Sequence, residues 1–339
     1  MITIAVDAAG GDHAPAEAVK GAAAALKNPG IKLVLLGNEA AVRAELDRIP
    51  GCDKTRLEVV SAPEIITNDE HPAAAIKAKK NSSIVVGLNM VRRGEAAAFV
   101  SAGSTGALLT GATVIVGRIK GVDRPVLGTA LPNAKGFTFL ADSGANVDAK
   151  PQYLAQYAQM GAVYAEHILG VANPRVGLVN IGAEQGKGNE LTKEAYPLLE
   201  AAGVNFTGNV EARDIPLGAV DVAVCDAFVG NVILKYTEGM AGAMLGMIKK
   251  ELMSSALSKL GAMLAKNAFR RLKKSFDYSE VGGAPFLGLR GLVVKAHGSS
   301  ESRAFEAAIE KCALFAERDI VDKTERLLAK TAGETQAAE

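Results

Sequence analysis

Asp142-Ser143-Gly144-Ala145-Asn146 sets a hydroxyl, an amide and a conformationally permissive glycine directly after the apolar run Phe137-Thr138-Phe139-Leu140. A helix-like segment begins near Pro151, so backbone N–H groups beside Ser143 and Asn146 can point outward as an anion cradle. A turn of this kind is often only a capped connection, but the chain repeats it. Gly with Asp, Asn, Ser, Thr, Lys or His follows strand-like runs ending near residues 6, 100, 140, 179, 224 and 294. The turn after residue 100 carries Ser104 and Thr105, that after 179 carries Lys187, that after 224 carries Asn231, and that after 294 carries His297. Backbone N–H groups, hydroxyls and amides around one cation, Lys187, suit a phosphate or a developing oxyanion. The recurrence predicts a single cleft lined by all six turns.

Other chemistries lack their residues. No GxGxxG follows a strand, and Gly182-Ala-Glu-Gln-Gly186-Lys187-Gly188 has one residue too few between its glycines, and no Ser or Thr after the lysine, for a P-loop. HExxH and GxSxG are absent, and His13, His71, His167 and His297 have no metal-ligand spacing, so no metal is expected. Cys225 reads as a small buried strand residue and not a nucleophile.

The elements that must position these turns alternate. Strand-like Ile2–Val6, Lys32–Leu36, Leu57–Val60, Ala97–Val100, Arg175–Val179, Val220–Val224 and Leu292–Val294 are separated by helical patterns. Such alternation predicts an α/β fold around a largely parallel sheet. From Met240 to Tyr278 the rhythm stops. Met240, Met244, Met247, Ile248, Leu252 and Leu260 keep helical spacing, Gly261 is the expected bend, and a helical hairpin projecting about 25–30 Å is predicted. Residues 249–274 hold eight Lys or Arg against one acid, Glu251. A basic arm with apolar tip residues suits dimerisation, an acidic partner or anionic lipid.

Bulk properties agree with a globular enzyme. A net charge of +1 gives no overall pull toward nucleic acid, and 49% hydrophobic with 22% charged residues excludes a disordered chain. Neither a signal sequence nor an apolar run near ~20 residues is visible, so a cytoplasmic location is expected. Cys52, Cys225 and Cys312 fit free thiols in a reducing compartment.

Taken together, Asp7-Ala-Ala-Gly-Gly-Asp12, Ser101-Ala-Gly-Ser-Thr-Gly-Ala107, Leu127-Gly-Thr-Ala-Leu-Pro132 and Ala141-Asp-Ser-Gly-Ala-Asn146 resemble the bacterial phosphate acyltransferase family PlsX. So do Asp226-Ala-Phe-Val-Gly-Asn231 and Gly282-Gly-Ala-Pro-Phe-Leu-Gly-Leu-Arg-Gly291. Ala8 departs from the family pattern, which has Met there. The resemblance runs to about residue 325. It implies a single domain over 1–325 with a helical arm at 238–278, and 328–339 read as a disordered tail. The implied fold is a three-layer α/β/α architecture similar to the isopropylmalate dehydrogenase and phosphotransacetylase group, in a homodimer without metal or organic cofactor. The implied reaction converts acyl-[acyl carrier protein] and inorganic phosphate into acyl phosphate, an early step of phospholipid synthesis.

On that reading Asp142, Ser143, Gly144 and Asn146 form the phosphate turn, with Ser104 and Thr105 as further donors. Lys187 neutralises phosphate, Asn231 donates to the thioester oxygen, and His297 donates or protonates the departing thiolate. Arg270, Arg271, Lys273 and Lys274 would receive the acidic carrier protein. Leu257, Leu260 and Met263 would touch an anionic membrane peripherally. The rival expectations are a phosphotransacetylase acting on a short acyl-CoA, a non-catalytic phosphate or acyl-phosphate binding protein, and a dehydrogenase of the related fold.

Overall fold

Runs of Val, Ile and Leu without polar alternation belong to strands covered on both faces, and this is how the chain is built. The computed structural model describes the backbone of residues 1–275 and 282–338, with side chains for 1–271 and 282–330. Its strands are β1 (Ile2–Asp7), β2 (Ile31–Gly37), β3 (Leu57–Ser61), β4 (Ala98–Ser101), β5 (Val126–Asn133), β6 (Gly136–Ala141), β7 (Val176–Asn180), β8 (Phe206–Glu211), β9 (Val222–Val224), β10 (Ala284–Leu287) and β11 (Leu292–Lys295). They form one sheet in the order β3-β2-β1-β4-β11-β10-β5-β6-β9-β7-β8.

Alternate residues of each strand feed opposite cores. On one face Ile4, Val6, Val100, Phe139, Val176, Leu178 and Val224 pack with the helices Ala16–Ala25, Pro151–His167 and Ser302–Glu317. On the other, Ala5, Val34, Phe99 and Val293 pack with the helix Ser83–Arg92, while Leu140 and Ala223 meet the start of the helix Ala227–Leu252. The three-layer α/β/α expectation is borne out.

The sheet is not uniformly parallel. β3-β2-β1-β4-β11 run one way, and β6-β9-β7-β8 run the other, because β10 pairs antiparallel with both β11 and β5, and β5 pairs antiparallel with β6. The two parallel halves therefore present their strand C-termini to opposite edges. β10 bonds to β5 only through Phe286/Leu127 and Leu287/Val126, so the halves part beyond Leu127.

The arm also differs from the expected hairpin. Asp226 caps the long helix Ala227–Leu252, its Oδ1 accepting from the Val229 N–H at 2.9 Å. At 26 residues this helix is about 39 Å long, and none of its residues beyond Gly230 is buried. The chain breaks at Met253-Ser254-Ser255 and again at Ala265, giving further helices Ala256–Leu264 and Lys266–Ser275. Gly261 is inside Ala256–Leu264 and is not the bend. Ser255 starts that helix afresh by offering its own hydroxyl to the Ser258 N–H at 3.1 Å. Tyr278 and the end of the expected arm are outside the described residues. The C-terminal helix Ile320–Ala338 extends through the segment expected as a tail.

Candidate active site

The parting of the two halves opens a cavity of about 760 Å³. Opposite sheet edges reach it because the central strands are short. Phe286 pairs with Leu127 and Ala284 with Lys295, only two residues or about 7 Å apart. The turn after β6 forms one wall, the turns after β4 and β11 another, and one side of the long helix a third.

In the β6 turn, Asp142 is buried and its carboxylate accepts from the backbone N–H groups of Gly144, Ala145 and Asn146 at 2.8–2.9 Å, and from the Asn146 amide at 2.8 Å. Burial pushes the Asp142 carboxyl above its ordinary range, while these four donors pull the other way. Ser143 donates its N–H and hydroxyl to the Leu127 carbonyl at 2.8 and 2.9 Å. The turn after β1 repeats the device: buried Asp7 accepts from Ala9 and Gly10 N–H at 2.9 Å, and from the Ser101 hydroxyl at 2.6 Å.

Gly230 lets the long helix reach the β6 turn, since a Cβ there would sit 1.7 Å from the Asp142 carbonyl oxygen. Asn231 is thereby brought beside Gly144, whose absent Cβ would lie 3.8 Å from Asn231 Oδ1. At φ +152° Gly144 holds a conformation L side chains rarely adopt.

After β11, Lys295 donates to the carbonyls of Ala102, at 3.1 Å, and Ala296. Burial lowers its pKa to about 8, opposed by the Asp7 and Asp12 carboxylates and assisted by Lys235. His297 has Ser299 at Nδ1 (2.8 Å to Oγ) and Lys235 Nζ 3.5 Å from Nε2. Burial and then the Lys235 charge hold the imidazole below its ordinary pKa, which favours the neutral ring.

Of the residues singled out in the sequence, Thr105, Ser143, Gly144, Asn231 and His297 line this cavity together. Others do not. Ser104 is buried as the cap of the helix Thr105–Gly111, accepting from the Ala107 N–H. Asp142 lies beneath its turn, and the Asn146 amide turns away to the Pro125 carbonyl at 2.8 Å. Lys187 is exposed on the β7 turn and is not part of the lining. It shares the β6 edge, but with β9 between, about 10 Å along the sheet. The expectation of one cleft lined by six turns is corrected accordingly: the turns after β4, β6 and β11 and, through Asn231, the segment after β9 line it, whereas the β1 turn does not and β9 keeps the β7 turn two strands from β6. Cys225 is buried, its thiol pushed well up by burial and directed at the Asp142 carbonyl, 3.6 Å away.

Arg270 and Arg271 are exposed on the arm, as are Leu257, Leu260 and Met263. The side chains of Lys273 and Lys274 are outside the described residues. Sequence reasoning gave no site role to Lys235, Lys295 or Ser300, all in the lining. The available signal for Lys295 was a lysine closing the buried run Leu292-Val293-Val294, where a charge needs a reason.

A family model described as fatty acid synthesis protein matches residues 2–323. A phosphate acyltransferase of Clostridium acetobutylicum is 50% identical over 326 residues, covering 96% of this chain and 98% of that protein. Another, of Brevibacillus brevis, is 50% identical over 336 residues, covering 98% and 99%. Among solved structures, EutD phosphotransacetylase from Staphylococcus aureus superposes with a TM-score of 0.61 at 16% identity, covering 93% of this chain and 94% of its own. A 4-hydroxythreonine-4-phosphate dehydrogenase from Klebsiella pneumoniae gives 0.54 at 14%, covering 93% and 100%. At such identities these two speak for the fold. The match over nearly the whole length, with half-identity to proteins of the same name, shows that the chain belongs to the fatty acid synthesis protein family, the one that its turn motifs resemble.

Proposed function

We propose that this protein transfers a long acyl group from acyl-[acyl carrier protein] to inorganic phosphate, giving acyl phosphate and the carrier thiol. The carrying observation is that the cavity joins a polar end to an apolar trough. Asn231, Leu234, Glu238, Ala241 and Leu245, three or four residues apart, with Lys235 next to Leu234, line it from one side of the long helix. From Asn231 to Leu245 is about 21 Å. An acyl chain in one leaflet spans about 15 Å, half of a ~30 Å hydrocarbon core. A short acetyl group would leave most of that apolar wall wet, which disfavours the phosphotransacetylase reading.

Phosphate is an oxyanion near neutral pH and needs no enzyme nucleophile. One of its oxygens bonds to the thioester carbon, the carbonyl becomes an oxyanion, and the C–S bond then breaks as the carbonyl re-forms. The protein's part is to hold both partners and stabilise the intermediate. On this reading the side-chain NH2 of Asn231, which lines the cavity beside Gly144, donates to the thioester oxygen. The departing thiolate meets the Lys235 ammonium and takes its proton from the Lys235–His297 pair.

The arm supports three further assignments. Exposed Arg270 and Arg271 suit an acidic carrier protein, with Lys273 and Lys274 following on the same helix. On the side of the long helix opposite the cavity, Phe228, Val232, Tyr236, Met240 and Met244 form a stripe at four-residue spacing, each at least 40% exposed. A stripe of that size suits a second copy of the chain. Leu257, Leu260 and Met263 suit peripheral contact with an anionic bilayer, and no helix among the described residues is long and apolar enough to cross one.

Pure protein given palmitoyl carrier protein and phosphate should yield hydroxylamine-trappable acyl phosphate. Faster turnover of acetyl-CoA would favour the phosphotransacetylase, and phosphate binding without thioester loss would favour a binding protein.

A further inference from the structure

We propose that inorganic phosphate binds against Lys295 and Ser300, on the β11 wall of the cavity, and not in the β6 turn. The inference rests on the acyl-transfer reading and names the anion site within it. The β6 turn has the shape of a cradle, but its donors point inward. Ser143 N–H goes to the Leu127 carbonyl, and those of Gly144, Ala145 and Asn146 go to Asp142. What remains behind the turn is a buried carboxylate, which repels an anion. In the turn after β4 the Gly103 N–H is likewise taken, donating to the Ser101 hydroxyl at 3.0 Å.

The β11 wall differs in holding donors without acceptors. The Lys295 ammonium carries three N–H groups, two of which reach the carbonyls of Ala102 and Ala296, and the third has no acceptor among the described residues. Ser300 is 2% exposed, and its hydroxyl has no hydrogen-bond partner among the described residues. A buried hydroxyl left unpaired is costly and calls for an explanation. Both residues line the same cavity. A ligand with several acceptor oxygens and a negative charge satisfies the two at once, which a neutral thioester carbonyl does not. Lys235 is in the same lining with its ammonium paired to Glu238 at 2.9 Å, and the start of the helix Ser302–Glu317 lies just beyond Ser300 with the Ser302 N–H donating to Glu17 at 2.8 Å, so the unpaired donors at this wall, among the described residues, are those of Lys295 and Ser300. Asp7 and Asp12 act on Lys295 by favouring its charged form.

The test uses the full chain and inorganic phosphate without acyl donor, following binding by calorimetry and by the rise in Tm. Ser300→Ala removes an unpaired hydroxyl and should fold normally. It should weaken phosphate binding roughly tenfold, as for loss of one hydrogen bond to a charged group, and raise the phosphate KM in step while leaving the KM for the acyl donor unchanged. Lys295→Met should weaken phosphate binding more. In the wild type, affinity should fall as pH rises through about 8, where Lys295 gives up its proton, and this fall should be missing in Lys295→Met. Wild-type phosphate affinity in Ser300→Ala overturns the proposal, also if Lys295→Met fails to fold. Failure of the wild type to bind millimolar phosphate overturns it too. Absence of acyl phosphate in the turnover assay counts against the transfer reading alone, because the phosphate titration does not depend on it.

Discussion

Gly230→Ala should separate the position of the long helix from its mere presence. A Cβ at residue 230 would lie 1.7 Å from the Asp142 carbonyl oxygen, 2.9 Å from its carbon and 3.0 Å from Cys225 Sγ. Reaching an ordinary 3.4 Å contact requires the helix to retreat by about 1.7 Å, since the obstacle is backbone and cannot swing aside. Overpacking of this kind costs about 3 kcal/mol. With an unfolding entropy of roughly 2.1 cal/mol/K per residue, a chain of 339 residues should lose only about 4 °C in Tm. The activity loss should be far larger. Asn231 moves with the helix, and a misplacement of about 1 Å at a reacting centre costs on the order of 100-fold. Gly246→Ala, on the same helix but with nothing within 4 Å of the added Cβ, should gain about 0.5–1 kcal/mol of helix stability and keep full turnover. Melting curves and acyl phosphate formation measured side by side decide the matter. If Gly230→Ala turns over like the wild type, the contact between the helix start and the β6 turn does not position the reacting groups.

Three other outcomes follow from the same geometry. Lys187→Ala tests the expectation from the sequence against the exposed position of Lys187 outside the cavity: from that position kcat and phosphate binding should stay unchanged, and a large fall in kcat would return Lys187 to the mechanism. Leu257→Glu combined with Leu260→Glu should release the protein from anionic vesicles while soluble turnover persists, and unaltered co-sedimentation would refute the membrane contact. Where His297 gives the thiolate its proton, the limb on which activity falls with rising pH should lie below pH 6.5, since burial and then Lys235 hold the imidazole neutral to lower pH than a free one. Lys235→Met removes one of the two main causes and should move that limb upward; a limb that stays in place would separate His297 from Lys235.

Much of the sheet was legible because β1, β2, β4, β7 and β9 are buried on both faces and so appear as unbroken apolar runs. β5, β8 and β10 were not read as strands. Gly128 and Pro132 interrupt β5, β8 is the largely polar Phe-Thr-Gly-Asn-Val-Glu, and Pro285 sits in the four-residue β10. In each case pairing with neighbours distant in sequence overrides a weak local preference. The helical arm was legible as helix but not in its breaks. Gly261 carries the expected weakness, yet exposed glycine inside a helix is tolerable at about 1 kcal/mol, whereas Ser255 actively caps a new start.

The site was legible in its residue types more than in their directions. Hydroxyls, amides and glycines at strand ends do gather at one cavity, but a sequence does not say whether an N–H faces a ligand or a neighbouring carboxylate. Asp142 decides that for the β6 turn: the residue that makes the loop fold tightly is also the acceptor that takes up its donors. The same ambiguity hid Lys295, because a lysine at a strand end is ordinary until the strand proves to be central. Strand direction is the deeper reason. β5 and β10 are paired across a long stretch of the chain, and their antiparallel insertion turns the second half of the sheet over. That single reversal opens the split in which the β6 turn meets the β4 and β11 turns from the opposite edge, while β9 keeps the β7 turn and Lys187 two strands further out. A uniformly parallel sheet would have put all six turns on one edge, but without the gap between the two halves.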